Sequence, residues 1–146
     1  MTDKSLSDNA LSHYDVIIVG GRVGGSALAA RLGLYGLRVL MLERGTFPSL
    51  PAVSSPIIYA PTMKILDEIG AEEADYARNT PRITHMHNIA GIARGSIRIP
   101  ALDGRDYAYA IDRARFDETL WHNALRLPTV DGRQNCNVMD VLTEGD

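Results

Sequence analysis

The stretch VGGRVGGSALAA, residues 19–30, decides the fold. It is preceded by a short β-branched apolar run, YDVIIVG at 14–20, and it leads into small, helix-favouring residues that continue to Gly36. An apolar run ended by glycine reads as a strand buried on both faces. Ala27, Leu28, Ala30, Arg31, Leu32 and Leu34 favour helix, and Gly36 closes it. LRVLMLE at 37–43 then reads as a second buried strand. Strand, glycine turn, helix and strand within about thirty residues is the length and order of a right-handed βαβ unit.

The glycine turn points to a phosphate-bearing ligand. In the dinucleotide fingerprint G-x-G-x-x-G, the first glycine makes the tight turn and the second admits the pyrophosphate. The third lets the helix pack close to the strand. Here Gly20 and Gly25 hold the outer positions and Arg22 stands in the middle one. Gly21 and Gly24, on either side of Arg22 and Val23, keep the loop backbone open. Arg22 is expected to point its stem outward and lend its guanidinium to a phosphate. Glu43 ends the second strand 23 positions after Gly20, where a carboxylate accepts hydrogen bonds from a ribose diol. The same carboxylate repels a 2′-phosphate. The competing interpretation is a glycine-rich βαβ turn that binds nothing.

Beyond Glu43 the alternation stops. RGTFPSLPAVSSPIIYAPT, at 44–62, contains four prolines and reads as a looping excursion. Residues 60–77 read as helical, with Pro61 in the first turn, an apolar face of Met63, Ile65, Leu66 and Ile69, and an interruption at Gly70. IARGSIRIP and YAYAI flank a turn at Asp103-Gly104, which predicts an antiparallel hairpin around residues 92–111. RARFDETLWHNALRL, at 113–127, is an amphipathic helix with Phe116, Leu120, Trp121, Ala124 and Leu127 on its apolar side. CNVMDVL, at 136–142, reads as a final strand without a returning partner, which raises the expectation of an N-terminal portion of a longer protein.

Composition narrows the class. The chain has 146 residues, 45% hydrophobic and 23% charged, which suits one packed domain at 14–146 behind a polar leader at 1–13. The formal charge of −3 comes without a basic run, so no nucleic-acid surface is expected. Cys136 is the lone cysteine, which excludes an internal disulfide and fits a cytoplasmic setting. The apolar runs VIIV and VLML are far too short to span a bilayer, so no integral membrane segment is expected.

Residues 14–49, YDVIIVGGRVGGSALAARLGLYGLRVLMLERGTFPS, resemble the N-terminal FAD-binding segment of the p-hydroxybenzoate hydroxylase-like flavoproteins. That superfamily includes group A flavin monooxygenases, geranylgeranyl reductases and flavin-dependent halogenases. A subset of it carries arginine at the middle fingerprint position, as GGRVGG does. The resemblance assigns Glu43 as the ribose-binding acid and Arg44 as the basic residue that follows it. It resumes at YAIDRARFDETLWHNA, where Arg113, Phe116 and Asp117 match the R-x-x-[FL]-D start of a family helix whose arginine lies near the flavin nucleotide. The family's later Asp-Gly and Gly-Asp motifs are not identifiable.

The resemblance implies an α/β, Rossmann-like FAD-binding fold with an inserted hairpin, and an FAD-dependent oxidoreductase of monooxygenase type. Its flavin would be reduced by NAD(P)H, and its substrate would be a small organic molecule. The expected cofactor-binding set is Gly20, Gly21, Arg22, Val23, Gly24, Gly25, Glu43, Arg44 and Arg113. The alternatives are a non-catalytic nucleotide-binding fragment and an NAD-dependent dehydrogenase. The dehydrogenase is disfavoured because the proline-rich excursion replaces the third strand–helix repeat. His85 and His87 alternate on one predicted strand, but they lack a third ligand, so an exposed connecting strand is the simpler interpretation and no metal is expected. Asp112 suits a helix cap, and Asp117 suits a local salt bridge to Arg113 or Arg115. Ser54 and Ser55 fall where family members approach the flavin. Cys136 is expected to be a packing residue.

Overall fold

The computed structural model describes residues 13–50 and 55–143. Strand β1 (Val16–Val19), helix α1 (Val23–Leu34) and strand β2 (Val39–Leu42) form the expected βαβ unit, with Val16 to Val19 paired in parallel with Val39 to Leu42. Ser26, Ala29, Ala30 and Gly33 are the buried residues of α1. Their small size brings the helix close to its neighbours: a Cβ on Gly33 would lie 2.6 Å from the Val130 side chain. Gly36, at φ +80°, lets the chain reverse after Tyr35.

The excursion carries β3 (Ile57–Ile58), α2 (Ala60–Glu68), α3 (Glu73–Tyr76), β4 (Arg82–Ile83), β5 (His85–Ala90), β6 (Ala93–Arg98) and β7 (Ala108–Ala110). The helical region at 60–77 divides at Gly70, whose φ of +71° stops α2. Met63, Leu66 and Ile69 are buried as expected, whereas Ile65 is exposed.

The hairpin is real, but its strands differ from those expected. β5 pairs with β6 from His85–Arg98 to Ala90–Ala93. Asp103 and Gly104 adopt the positive φ angles of a tight turn, 50° and 80°, yet they close only an isolated bridge between Leu102 and Arg105. β7 instead lies between β3 and β4 in a small antiparallel sheet. Burial decides the pairing. Tyr107, Ala108 and Tyr109 belong inside, while every residue of β6 is exposed, so one sheet could not serve both.

Helix α4 (Arg113–Leu125) and strand β8 (Val130–Arg133) complete the fold. α4 starts at Asp112, whose Oδ1 accepts from the Ala114 N–H at 3.0 Å. Its buried residues include Phe116, Leu120, Trp121 and Ala124. β8 adds in parallel to β2, giving the order β1-β2-β8.

This third parallel strand corrects two expectations. A strand was expected at 136–142, but the residues from 134 to 143 have no regular structure; Met139, Val141 and Leu142 are exposed. VDGR at 130–133 lacks apolar alternation and becomes a strand through tertiary fit: Gly132 leaves room for Trp121, whose ring would lie 2.6 Å from a Cβ there. The third helix–strand repeat is therefore not replaced by the excursion. It follows it, as α4 and β8.

The expectation of two fully buried strands holds for β2, where Val39, Leu40 and Met41 are buried. It fails for β1. Ile18 is buried, but Ile17 and Val19, which alternate with it onto the opposite face of this edge strand, are 60% and 63% exposed.

Candidate dinucleotide site

A recess of about 450 Å³ opens at the carboxyl ends of β1 and β2. Val19, Gly20, Arg22, Gly24 and Gly25 line one side; Leu42, Glu43 and Arg44 line another; Cys136, Asn137 and Val138 close the third. Open α/β sheets bind their ligands in this position.

Each glycine of the turn has its own requirement. Gly20 adopts φ +102°, which L side chains rarely reach. A Cβ on Gly25 would lie 1.8 Å from the Gly20 carbonyl oxygen, so this glycine permits the contact between helix and strand. A Cβ on Gly21 would lie 2.2 Å from the Trp121 ring. Gly24 meets nothing within 4 Å, and its free side faces the recess. No side chain caps α1, so the N–H groups of its first turn stay open, with the positive end of the helix dipole behind them.

Glu43 is 6% exposed and sits at the floor of the recess. Its Oε2 accepts from the Gly21 N–H and its Oε1 from the Gly45 N–H, both at 2.9 Å. These bonds fix the carboxylate and leave each oxygen a further lone pair for a ribose hydroxyl.

Arg22 differs from expectation. It lines the recess, but its guanidinium is engaged by protein groups. Nη1 donates to Asp117 Oδ2 and to the Ser49 carbonyl, and Nη2 donates to Ser49 Oγ, all at 2.9 Å. The guanidinium also lies 5.5 Å from the centre of the Phe47 ring. Asp117, a fully buried carboxylate on α4, draws the guanidinium away from the recess.

Arg113 meets the same carboxylate, with Nε 2.8 Å from Oδ1 and Nη2 3.1 Å from Oδ2. The local salt bridge expected of Asp117 therefore forms with Arg113. Arg113 does not line the recess, and it reaches the glycine turn only through the shared Asp117 oxygen. Arg44 is exposed at the rim. Val23 packs against the core, and Gly21 lies behind the wall with its N–H on Glu43.

Cys136, Asn137 and Val138 were missed as wall residues. Cys136 belongs to no strand; its N–H donates to the Glu43 carbonyl at 2.9 Å, while the Asn135 N–H donates to the Gly45 carbonyl at 3.1 Å. Only the register of β8 against β2 brings this segment alongside residues 43–45, so no local signal announced it. Ser55 is exposed, and its carbonyl accepts from Arg113 at 3.4 Å; Ser54 lies outside the described residues. His85 and His87 are exposed on β5, and among the described residues no three His, Cys, Asp or Glu side chains cluster as metal ligands.

The open first-turn N–H groups, the free side of Gly24 and the spare acceptors of Glu43 fit the pyrophosphate and ribose of a dinucleotide. Residues 13–146 match the sequence profile of a family described as FAD binding domain. The chain belongs to this FAD-binding family.

Relatives of this FAD-binding domain carry several different names. It is 31% identical to 3-hydroxybenzoate 6-hydroxylase of Klebsiella oxytoca, over 89% of the chain and 34% of that protein. It is 32% identical to Protein FixC of Bradyrhizobium diazoefficiens, over 72% of the chain and 25% of that protein. The solved structure of the myxobacterial chondrochloren halogenase CndH superposes with a TM-score of 0.75 at 31% identity, over 90% of the chain and 31% of that structure. The chain thus spans a quarter to a third of the length of these relatives. Among the described residues, no helix is long and apolar enough to cross a membrane.

Proposed function

We propose that this domain holds the ADP half of FAD in an FAD-dependent oxidoreductase of monooxygenase type. The observation that carries this reading is the recess itself, where open helix N–H groups and the fixed Glu43 carboxylate meet at the ends of two parallel strands. Gly20, Gly24 and Gly25 shape the wall met by the pyrophosphate, and Glu43 accepts from the adenosine ribose. Arg44 adds positive charge at the rim. Arg22 and Arg113 act on the turn from behind.

The bound flavin supplies the redox chemistry. NAD(P)H is the proposed reductant and a small organic molecule the proposed substrate. The names of the relatives, a hydroxylase and a halogenase among them, support a small organic substrate. The absence of a basic run and the lone cysteine support a protein that works without nucleic acid in the cytoplasm.

Anaerobic mixing of the FAD-loaded full-length protein with NADPH or NADH tests the redox reading. Bleaching of the flavin absorbance near its long-wavelength maximum is expected. A protein that binds FAD yet is bleached by neither nucleotide would remove NAD(P)H as the reductant.

A further inference from the structure

Three stretches of the chain meet at the Arg22 guanidinium: the glycine turn that carries it, the loop after β2 through Ser49, and α4 through Asp117, which also holds Arg113. Asp117 is fully buried, and Arg113, four residues earlier on the same helix, engages both of its oxygens. That pair is already neutral. Arg22 is therefore not required to neutralise Asp117, whereas Asp117 is what holds the guanidinium of Arg22 in place. Held there, Arg22 gives two hydrogen bonds to Ser49 and lies over Phe47, whose ring packs 5.2 Å from Trp121.

We infer that Asp117 is a positioning residue that turns Arg22 into a staple between the glycine turn and the loop at 45–50, leaving the pyrophosphate to the backbone N–H groups. The staple is a property of the protein without cofactor. Only its effect on FAD rests on the proposed function. An arginine is accommodated at the middle fingerprint position because its guanidinium is held behind the turn by hydrogen bonds to Asp117 and Ser49.

The arrangement makes the two partners unequal. R22M leaves the neutral Asp117–Arg113 pair intact. D117N brings two guanidinium groups together across a partly buried gap without the charge between them. Thermal melts of the chain without FAD should show a larger loss for D117N than for R22M, with part of that loss recovered in R22M/D117N. Equal losses that add in the double variant would overturn the inference.

Hydrogen exchange gives a readout at the loop itself. The Phe47 N–H donates to Gln134 at 2.8 Å in the segment that Arg22 pins. Its exchange should quicken about tenfold in R22M. It should quicken in R22K too, because lysine keeps the charge but lacks the planar fork that reaches Ser49 and Asp117 together. Unchanged exchange in R22M would overturn the staple, and this measurement stands even if D117N fails to fold.

Titration with FAD separates the staple from a direct phosphate contact. R22K should bind FAD no better than R22M; restored affinity in R22K would assign Arg22 to the pyrophosphate and overturn the inference. Failure of the unaltered full-length protein to bind FAD would remove the proposed function, while the cofactor-free melts and exchange rates would still decide the staple.

Discussion

Gly20, Gly25 and Glu43 each depend on one physical feature that a single substitution removes. Gly20→Val is disfavoured by backbone conformation rather than by crowding. The residue adopts φ +102°, while a Cβ there would meet nothing within 4 Å. Gly25→Ala fails for the opposite reason, since its Cβ would overlap the Gly20 carbonyl and push α1 away from β1. Both variants should lower FAD affinity, and Gly25→Ala should lower thermal stability as well; a Gly25→Ala protein with unaltered melting would contradict the close helix–strand contact. Glu43→Ala removes the proposed ribose acceptor and frees the Gly21 and Gly45 N–H groups. A loss of about 1–3 kcal/mol in FAD binding is expected by isothermal titration. Unchanged affinity would remove Glu43 from the site.

At the scale of elements, what was legible followed how local the cause was. The βαβ unit, the cap at Asp112 and the break at Gly70 depend on neighbouring residues, and each stands where the sequence pattern put it. β8 depends on Gly132 fitting beneath Trp121 and was not legible; β7 was expected as a strand within YAYAI, but its pairing with β3 and β4 depends on tertiary burial and was not. Cys136 joined the site for the same reason. Around β7 an ionic cluster ties the small sheet to α3. Glu73 accepts from Tyr109 at 2.7 Å and from Tyr107 at 2.9 Å, and it pairs with Arg105 at 3.2 Å. Burial works to raise the Glu73 pKa, but the Tyr109 and Tyr107 hydrogen bonds and the Arg105 charge outweigh it and hold the carboxyl below its ordinary range. The stabilisation is therefore complete above the ordinary carboxylate value of about 4.3 and is lost as pH falls through the lowered folded value. Glu73→Gln should cost about 1–3 kcal/mol in urea unfolding at neutral pH, with the difference narrowing toward pH 3. A difference independent of pH would show that the charge of Glu73 does not stabilise the fold.

At the scale of the whole molecule, among the described residues β1 presents a free edge and two exposed apolar side chains, Ile17 and Val19. Such an edge invites pairing with another strand. The 146-residue chain alone should self-associate with rising concentration in sedimentation, and Ile17→Lys should suppress it; a monomer at every concentration would contradict an accessible edge. The central assignment is that the recess at the ends of β1 and β2 binds the ADP half of FAD, and competition tests it most directly. FAD titrated onto the chain, followed by flavin fluorescence, should bind saturably and be displaced by ADP. FMN, which lacks the adenosine, should not compete, and Gly20→Val should abolish the signal. No saturable binding of FAD, or binding that FMN matches and ADP leaves untouched, would contradict the assignment.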